Sequence, residues 1–280
     1  MSEQNDELMI RRILVALDAS HHSLAALEAA VELASSLEAE LMGLFVEDVN
    51  LLRVAGLPAA REVRYPFDAV ARLDRARMER ELRAQATQAR QALVAACEQR
   101  QVKWSFRVVR GEVTPEVLAA ALEADLLTLG RASRPLIRRV RLGSTARAAA
   151  ALAPSSVLLL QRDVGIKPPV VVTCDDSPTA QRALMLAIHL ARKAGDYLTI
   201  LILADALEKA RRLQTQTTDR LREQGLMVRY RRLIDAGVAT LIYEVRAEGS
   251  GVLVLSSTIL PTEALQTLLA EVDCPVLLVR

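Results

Sequence analysis

Short apolar runs, of the length of buried strands, alternate along this chain with longer stretches whose apolar residues recur at helical spacing. Residues 12–17 form the first such run, which leads into Asp18. Ser20 follows where a helix N-cap belongs, ahead of Leu27, Val31 and Ala34 on one inner face. Residues 41–46 predict a second strand. A loop containing Gly56 and Pro58 leads to a long charged helix over about 68–99, and residues 102–109 predict a third strand. Thr114-Pro115-Glu116 reads as a cap with proline at the first helical position, opening a helix to about Glu123. Residues 124–129 predict a fourth strand, an alanine-rich helix starts near Thr145, and residues 157–161 predict a fifth strand. Strands alternating with helices predict parallel sheets covered on both faces. In such sheets ligands bind beyond the C-terminal strand ends, where the strand order reverses.

The pattern then repeats. Ile13-Leu-Val-Ala-Leu-Asp-Ala-Ser20 lies over Val170-Val-Val-Thr-Cys-Asp-Asp-Ser177, and the register holds without a gap through Val46 and Leu203. Identities include Asp18/Asp175, Ser20/Ser177, Ala26/Ala183 and Leu44/Leu201, and the runs 156–162 and 275–280 correspond less strictly. The chain therefore reads as two copies of one domain, 1–163 and 164–280, joined where Gly165 and the Pro168-Pro169 pair interrupt regular structure. In the second copy Ser177-Pro178 supplies cap and first helical residue, and the middle helix, about 204–223, is shorter.

Composition narrows the class. The 280 residues are 51% hydrophobic, yet no apolar run is long enough to span a bilayer. The polar, acidic residues 1–8 resemble neither a signal nor a transit peptide, so a soluble cytoplasmic protein without membrane insertion is expected. Cys97, Cys174 and Cys274 lack metal-ligand spacing and are expected as reduced thiols, Cys174 as a small core residue. His21, His22 and His189 are too dispersed for a metal site. The adjacent His21 and His22 would point in different directions on a helix, which favours a surface role. A net charge of +2 and 3% aromatic residues argue against a nucleic-acid binder, and Trp104 reads as a packing residue.

The segment richest in chemistry is Leu129-Gly130-Arg131-Ala132-Ser133, followed after nine residues by Gly143-Ser144-Thr145. A strand, a loop with glycines at both ends and a Ser-Thr pair opening a helix suit a phosphate, because backbone N–H groups and the helix N-terminus face an anion placed there. These residues, Asp18 and the repeat together resemble a tandem universal stress protein over essentially the whole chain. That family's nucleotide-binding members carry Gly-x2-Gly-x9-Gly-Ser/Thr after the fourth strand and an Asp at the end of the first. Here the outer glycines and Ser144 match, while Ser133 replaces the middle glycine.

The resemblance implies an α/β fold of two tandem doubly wound, Rossmann-like five-stranded sheets, similar to the adenine nucleotide alpha hydrolases. It also implies that ATP or a related adenine nucleotide binds the first copy, with or without Mg2+. Ala16, Leu17 and Asp18 would lie near the adenosine, and Val46 would line the adenine pocket. Leu129 and Gly130 would run beneath the nucleotide, Ser133 could offer its hydroxyl, and Gly143, Ser144 and Thr145 would donate to phosphates. Family dimers pair through their last strands. Residues 157–161 and 276–279 would then pair within this chain, giving a monomer that imitates a dimer; a homodimer is the alternative.

Other readings stay open. A carboxylate such as Asp18 can simply hold a strand-to-helix turn, and Asp175, with no phosphate loop beside it, is read that way. Taken singly, Arg131, Arg134, Arg138, Arg139 and Arg141 each read as a solvated loop residue, whereas the cluster raises local positive potential. In the second copy Ser256-Ser257-Thr258 and Pro261-Thr262-Glu263 replace the phosphate loop, so ATP binding of the usual kind is not expected there. Three functions follow: a nucleotide-dependent stress regulator acting on a protein partner not identified by sequence, a nucleotide-independent scaffold, or a slow ATPase. No Walker A lysine loop and no base–nucleophile pair is evident, so at most weak hydrolysis is expected.

Overall fold

The computed structural model describes residues 10–57, 61–64, 69–72, 74–131, 142–160, 166–249 and 251–280. Strands β1 (Arg12–Leu17), β2 (Glu40–Asp48), β5 (Trp104–Gly111), β6 (Leu126–Gly130) and β7 (Ser156–Leu160) belong to the first half. Strands β8 (Val170–Cys174), β9 (Tyr197–Ala204), β10 (Met227–Ile234), β11 (Val252–Ser256) and β12 (Val276–Val279) belong to the second. Together they build one ten-stranded sheet in the order β10-β9-β8-β11-β12-β7-β6-β1-β2-β5. Within each half the strands are parallel and share one order, reversing between β1 and β6 and again between β8 and β11.

The halves meet where β12 pairs antiparallel with β7, placing Val276, Leu277 and Leu278 opposite Leu159, Leu158 and Val157. Each edge strand covers the other, which removes two unpaired edges. The expected pairing of the two last strands within one chain is therefore present, and it fuses the two five-stranded sets into a single sheet.

Helices cover both faces. On one face lie α1 (His21–Leu37), α3 (Arg75–Arg100), α6 (Pro178–Lys193) and α7 (Leu207–Leu221). On the other lie α4 (Val113–Ala120), α5 (Ser144–Leu152), α8 (Val238–Ala247) and α9 (Thr262–Glu271). Strand alternation feeds both layers: Ile13, Val15 and Leu17 face the first, Leu14 the second. Each apolar layer runs through both halves, and His189 of α6 meets Ser36 of α1 across the seam at 3.4 Å.

The serine caps form as expected. Ser20 Oγ accepts from the Ser23 amide at 3.2 Å, and Ser177 Oγ from the Ala180 amide at 3.0 Å with Pro178 in the first turn. Four stretches differ from the sequence reading. The stretch expected as a loop after β2 holds a short helix, α2 (Val49–Ala55), and a hairpin of β3 (Arg61–Arg64) with β4 (Ala69–Arg72). Asp74, accepting from the Ala76 and Arg77 amides, therefore caps α3, and the helix does not start near residue 68. Thr114 is not a cap: α4 begins at Val113, and the Thr114 hydroxyl turns to Thr145 instead. In the second half β9 runs on through Ala204, so α7 begins only at Leu207.

Candidate functional site

At the strand-order reversal between β1 and β6 the structure holds a cavity of about 70 Å³. Ala16, Leu17 and Asp18 form one wall, Leu129 and Gly130 the next, and Thr145 and Ala146 of α5 close it. Five of the expected residues (Ala16, Leu17, Asp18, Leu129 and Gly130) thus converge with Thr145. Val46 lies on the neighbouring strand, paired in register with Val109, and is not in this lining. Ser133 and Arg134, Arg138, Arg139 and Arg141 fall outside the described residues.

The turn from β1 into α1 is built by short polar side chains. Asp18 Oδ1 accepts from the Ser20 amide at 3.0 Å, and the Asp18 amide donates to Ser23 Oγ at 3.3 Å. Between them Ala19 takes a left-handed conformation, φ 56°, which costs an L-residue about 1 kcal/mol. The second half repeats the carboxylate contact, since Asp175 Oδ1 accepts from the Ser177 amide at 2.9 Å and from its hydroxyl at 2.6 Å. Holding this turn is thus a task both aspartates share. The left-handed residue is not shared: Asp176, which follows Asp175, has no positive φ.

Gly130 is required by close approach of the chain itself. A Cβ there would lie 2.9 Å from His22 Cβ and 3.0 Å from the His22 carbonyl carbon and oxygen. His22 is accordingly buried at 7% exposure, against the surface role expected for it, because the first turn of α1 packs directly on the end of β6.

Gly143 is the N-cap of α5, with φ −61° and ψ 158°, and no side chain caps the helix. Its own amide donates to the Arg131 carbonyl at 2.7 Å, so this N–H closes the neck of the loop. The amides of Ser144, Thr145 and Ala146 form the first helical turn, ahead of the first intrahelical bond from Arg147 to Gly143. Ser144 is exposed, and the Thr145 hydroxyl is fixed by Thr114 Oγ1 at 3.0 Å. This corner offers donors to an anion, beside an apolar strand end that suits a base.

The second half departs from this arrangement as its sequence indicates. Pro261 caps α9 and Glu263 stands in its first turn, while Ser256 Oγ pairs with Thr258 Oγ1 at 2.8 Å. A cavity of about 50 Å³ remains beside Asp175, lined by Cys174, Thr217 and Arg220 among others. Burial pushes the Cys174 thiol pKa up, as befits a core residue.

A larger cavity, about 380 Å³, opens at the other end of the first half, beside Asp125, Ser155, Ser156 and Arg280. Much of its polar lining serves the fold. Asp125 accepts from the Arg11 and Arg12 amides, Ser156 Oγ from the Arg280 amide, and the Arg280 guanidinium donates to Ala149 and Ala150.

Arg131 is the residue most at odds with its sequence reading. It is not solvated but 1% exposed, and Nη1 donates to the Val272 carbonyl of the second half at 2.7 Å. Burial lowers its pKa, with Cys274 and Asp273 acting in the opposite sense. Among the described residues no group of three or more metal-ligating side chains occurs, and no helix is long and apolar enough to cross a membrane.

The model of the universal stress protein family matches residues 9–161. A universal stress protein from Archaeoglobus fulgidus DSM 4304 superposes over 96% of this chain and 97% of its own, with TM-score 0.72 at 15% identity. A second, from Pseudomonas aeruginosa UCBPP-PA14, covers 96% of this chain and 92% of its own, with TM-score 0.59 at 13% identity. At such identities the likeness is one of fold. Among curated proteins none matches the chain in sequence. With more than half of its length matched by the family model, the chain belongs to the universal stress protein family.

Proposed function

We propose that the first half binds ATP or a related adenine nucleotide and that the protein acts as a cytoplasmic stress-response regulator, its occupied state read by a protein partner. The observation that carries this reading is the convergence of Asp18, Gly130 and the side-chain-uncapped N-terminus of α5 on one cavity at the strand-order reversal. The backbone strain at Ala19 supports it, since left-handed non-glycine residues gather at functional turns. Phosphates would meet the Ser144, Thr145 and Ala146 amides and the base the apolar ends of β1 and β2 near Val46, with the Ser133 hydroxyl as a further donor. Asp18, the one carboxylate in this lining, would face any accompanying Mg2+.

In this reading the chain is two tandem universal stress protein domains, 1–163 and 164–280, the second without an ATP site. The β7–β12 pairing inside one chain supports a monomer. A nucleotide-independent scaffold is the second reading, favoured by engagement of the Gly143 amide within the loop itself.

Mass spectrometry of nucleotide released from the purified protein, with calorimetric titration of ATP, tests the proposal. At Gly143, φ −61° suits any residue, and aspartate is a good N-cap. Gly143→Asp should therefore keep the fold while placing a carboxylate against the phosphates, weakening ATP at least ten-fold. Wild-type protein that neither retains nor binds adenine nucleotide would establish the scaffold reading instead.

A further inference from the structure

Arg131 links four parts of the molecule. Its amide donates to the Leu160 carbonyl at the end of β7 at 2.8 Å, and its carbonyl accepts from the Gly143 amide at 2.7 Å. Its guanidinium crosses the seam to the Val272 carbonyl, where α9 ends. One residue thus ties both ends of the Gly130–Gly143 loop to the second half.

The second half shows what this position looks like without the loop. Ser257 is the counterpart of Arg131, since its amide donates to the Val279 carbonyl at 2.9 Å as Arg131 donates to Leu160. Serine cannot reach across the seam. There the guanidinium comes from Arg280, whose Nη2 donates to the Ala149 and Ala150 carbonyls in the last turn of α5 at 3.3 and 2.7 Å. Each half therefore ends its last helix on a guanidinium from the other, placed where the helix dipole is negative. Only Arg131 joins that contact to a loop.

The chemistry of Arg131 is costly for a purely structural clasp. The guanidinium is 1% exposed, Nε has no hydrogen-bond partner, and no described carboxylate pairs with it. Taking such a charge out of water costs several kcal/mol, repaid only where geometry and hydrogen bonding are excellent. Its connections, in contrast, suit transmission: an anion drawn onto the first turn of α5 acts on Gly143, hence on the Arg131 carbonyl, and the side chain carries the displacement to Val272 and β12.

We infer that Arg131 couples occupancy of the first-half site to the seam between the halves, so that an adenine nucleotide's phosphates are felt at α9 and β12. The inference rests on the nucleotide reading proposed above. By linkage, whatever tightens the seam also tightens the nucleotide.

Full-length wild type, Arg131→Met, Arg131→Lys and Arg280→Met are compared by ATP titration, thermal unfolding and hydrogen exchange of residues 262–279. In wild type, ATP should slow exchange in that segment about ten-fold. Arg131→Met should lose this protection and bind ATP about ten-fold more weakly, an ATP-dependent loss that a merely structural arginine would not produce. Arg280→Met should loosen the seam with and without ATP, keep the ATP-dependent slowing of exchange and, by linkage, bind ATP no tighter than wild type. If the Met variant does not fold, Arg131→Lys should show several-fold weaker protection. ATP affinity and protection within two-fold of wild type in the Arg131 variants overturn the coupling and leave the nucleotide reading standing. A wild type that binds no ATP overturns both.

Discussion

Gly130→Ala separates two ways in which a glycine can matter. The new Cβ would stand 2.9–3.0 Å from the His22 Cβ, carbonyl carbon and carbonyl oxygen, against a comfortable carbon contact of about 3.5–4.0 Å. Those atoms are backbone or fixed to it, so the first turn of α1 must shift by about half an ångström. Overpacking of this kind costs about 1–3 kcal/mol. Gly43 is the internal control. Its Cβ would meet Phe106 Cδ2 at 2.8 Å and Leu93 Cδ2 at 2.9 Å, both ends of rotatable side chains. Alanine in the middle of β2 also recovers about 0.5–1 kcal/mol of backbone entropy. Urea unfolding of both variants, followed by circular dichroism, should therefore place Gly130→Ala at least about 1 kcal/mol below Gly43→Ala. His22→Ala should not rescue it, because the Cβ and carbonyl remain. Because the same turn carries Ser20 and Ser23, which hold Asp18, ATP affinity should fall with stability. Gly130→Ala within about 0.5 kcal/mol of wild type, or restored by His22→Ala, would refute the packing explanation.

Other expectations follow from buried polar groups. Burial pushes Cys97 and Cys274 up to about 11, so neither should react with iodoacetamide at pH 8 until the chain unfolds. Burial, with Lys193 and Arg192 nearby, lowers His189 below its ordinary 6.5. The unfolded chain then takes up that proton first as pH falls, so stability should decline from pH 6.5 downward, and His189→Gln should flatten this slope in unfolding titrations. Glu248, whose side chain is 3% exposed, accepts from the Thr199 hydroxyl at 3.0 Å and pairs with Arg229 and Arg231. Glu248→Ala strands a buried hydroxyl and should cost about 1–3 kcal/mol in urea unfolding. Glu271→Ala, which breaks only an exposed pair with Arg246, should stay within about 1 kcal/mol of wild type.

The sequence made the repeating scaffold readable because its signals are local. Strand runs, serine caps and the Pro168-Pro169 break each depend on a few neighbouring residues, and the parallel, helix-covered arrangement within each half followed from alternation. Where two local signals competed, packing chose between them. The sequence reading starts the long helix near residue 68, but β4 takes Ala69–Arg72 and Asp74 caps α3. Thr114 had a cap's surroundings, but α4 starts one residue earlier and releases the hydroxyl to α5. Of the candidate site, the residues at strand ends were found and the contacts between them were not. His22 against Gly130 needs α1 folded back onto β6. Arg131 meets a carbonyl 141 residues away, which no window of the chain around it could signal.

The two halves also act as a comparison within one molecule. Asp18 and Asp175 make the same contact with the serine two residues on, so that carboxylate belongs to the fold and by itself marks no ligand. Three of the positions that differ lie around the ends of β1 and β6 and the start of α5. Ala19 is left-handed where Asp176 is not; Gly143 caps α5 where Pro261 caps α9; and Arg131 stands where Ser257 does. In the first half these positions flank the reversal between β1 and β6, beside the glycine-capped start of α5. That grouping, more than any single motif residue, supports the adenine-nucleotide site proposed for the first half.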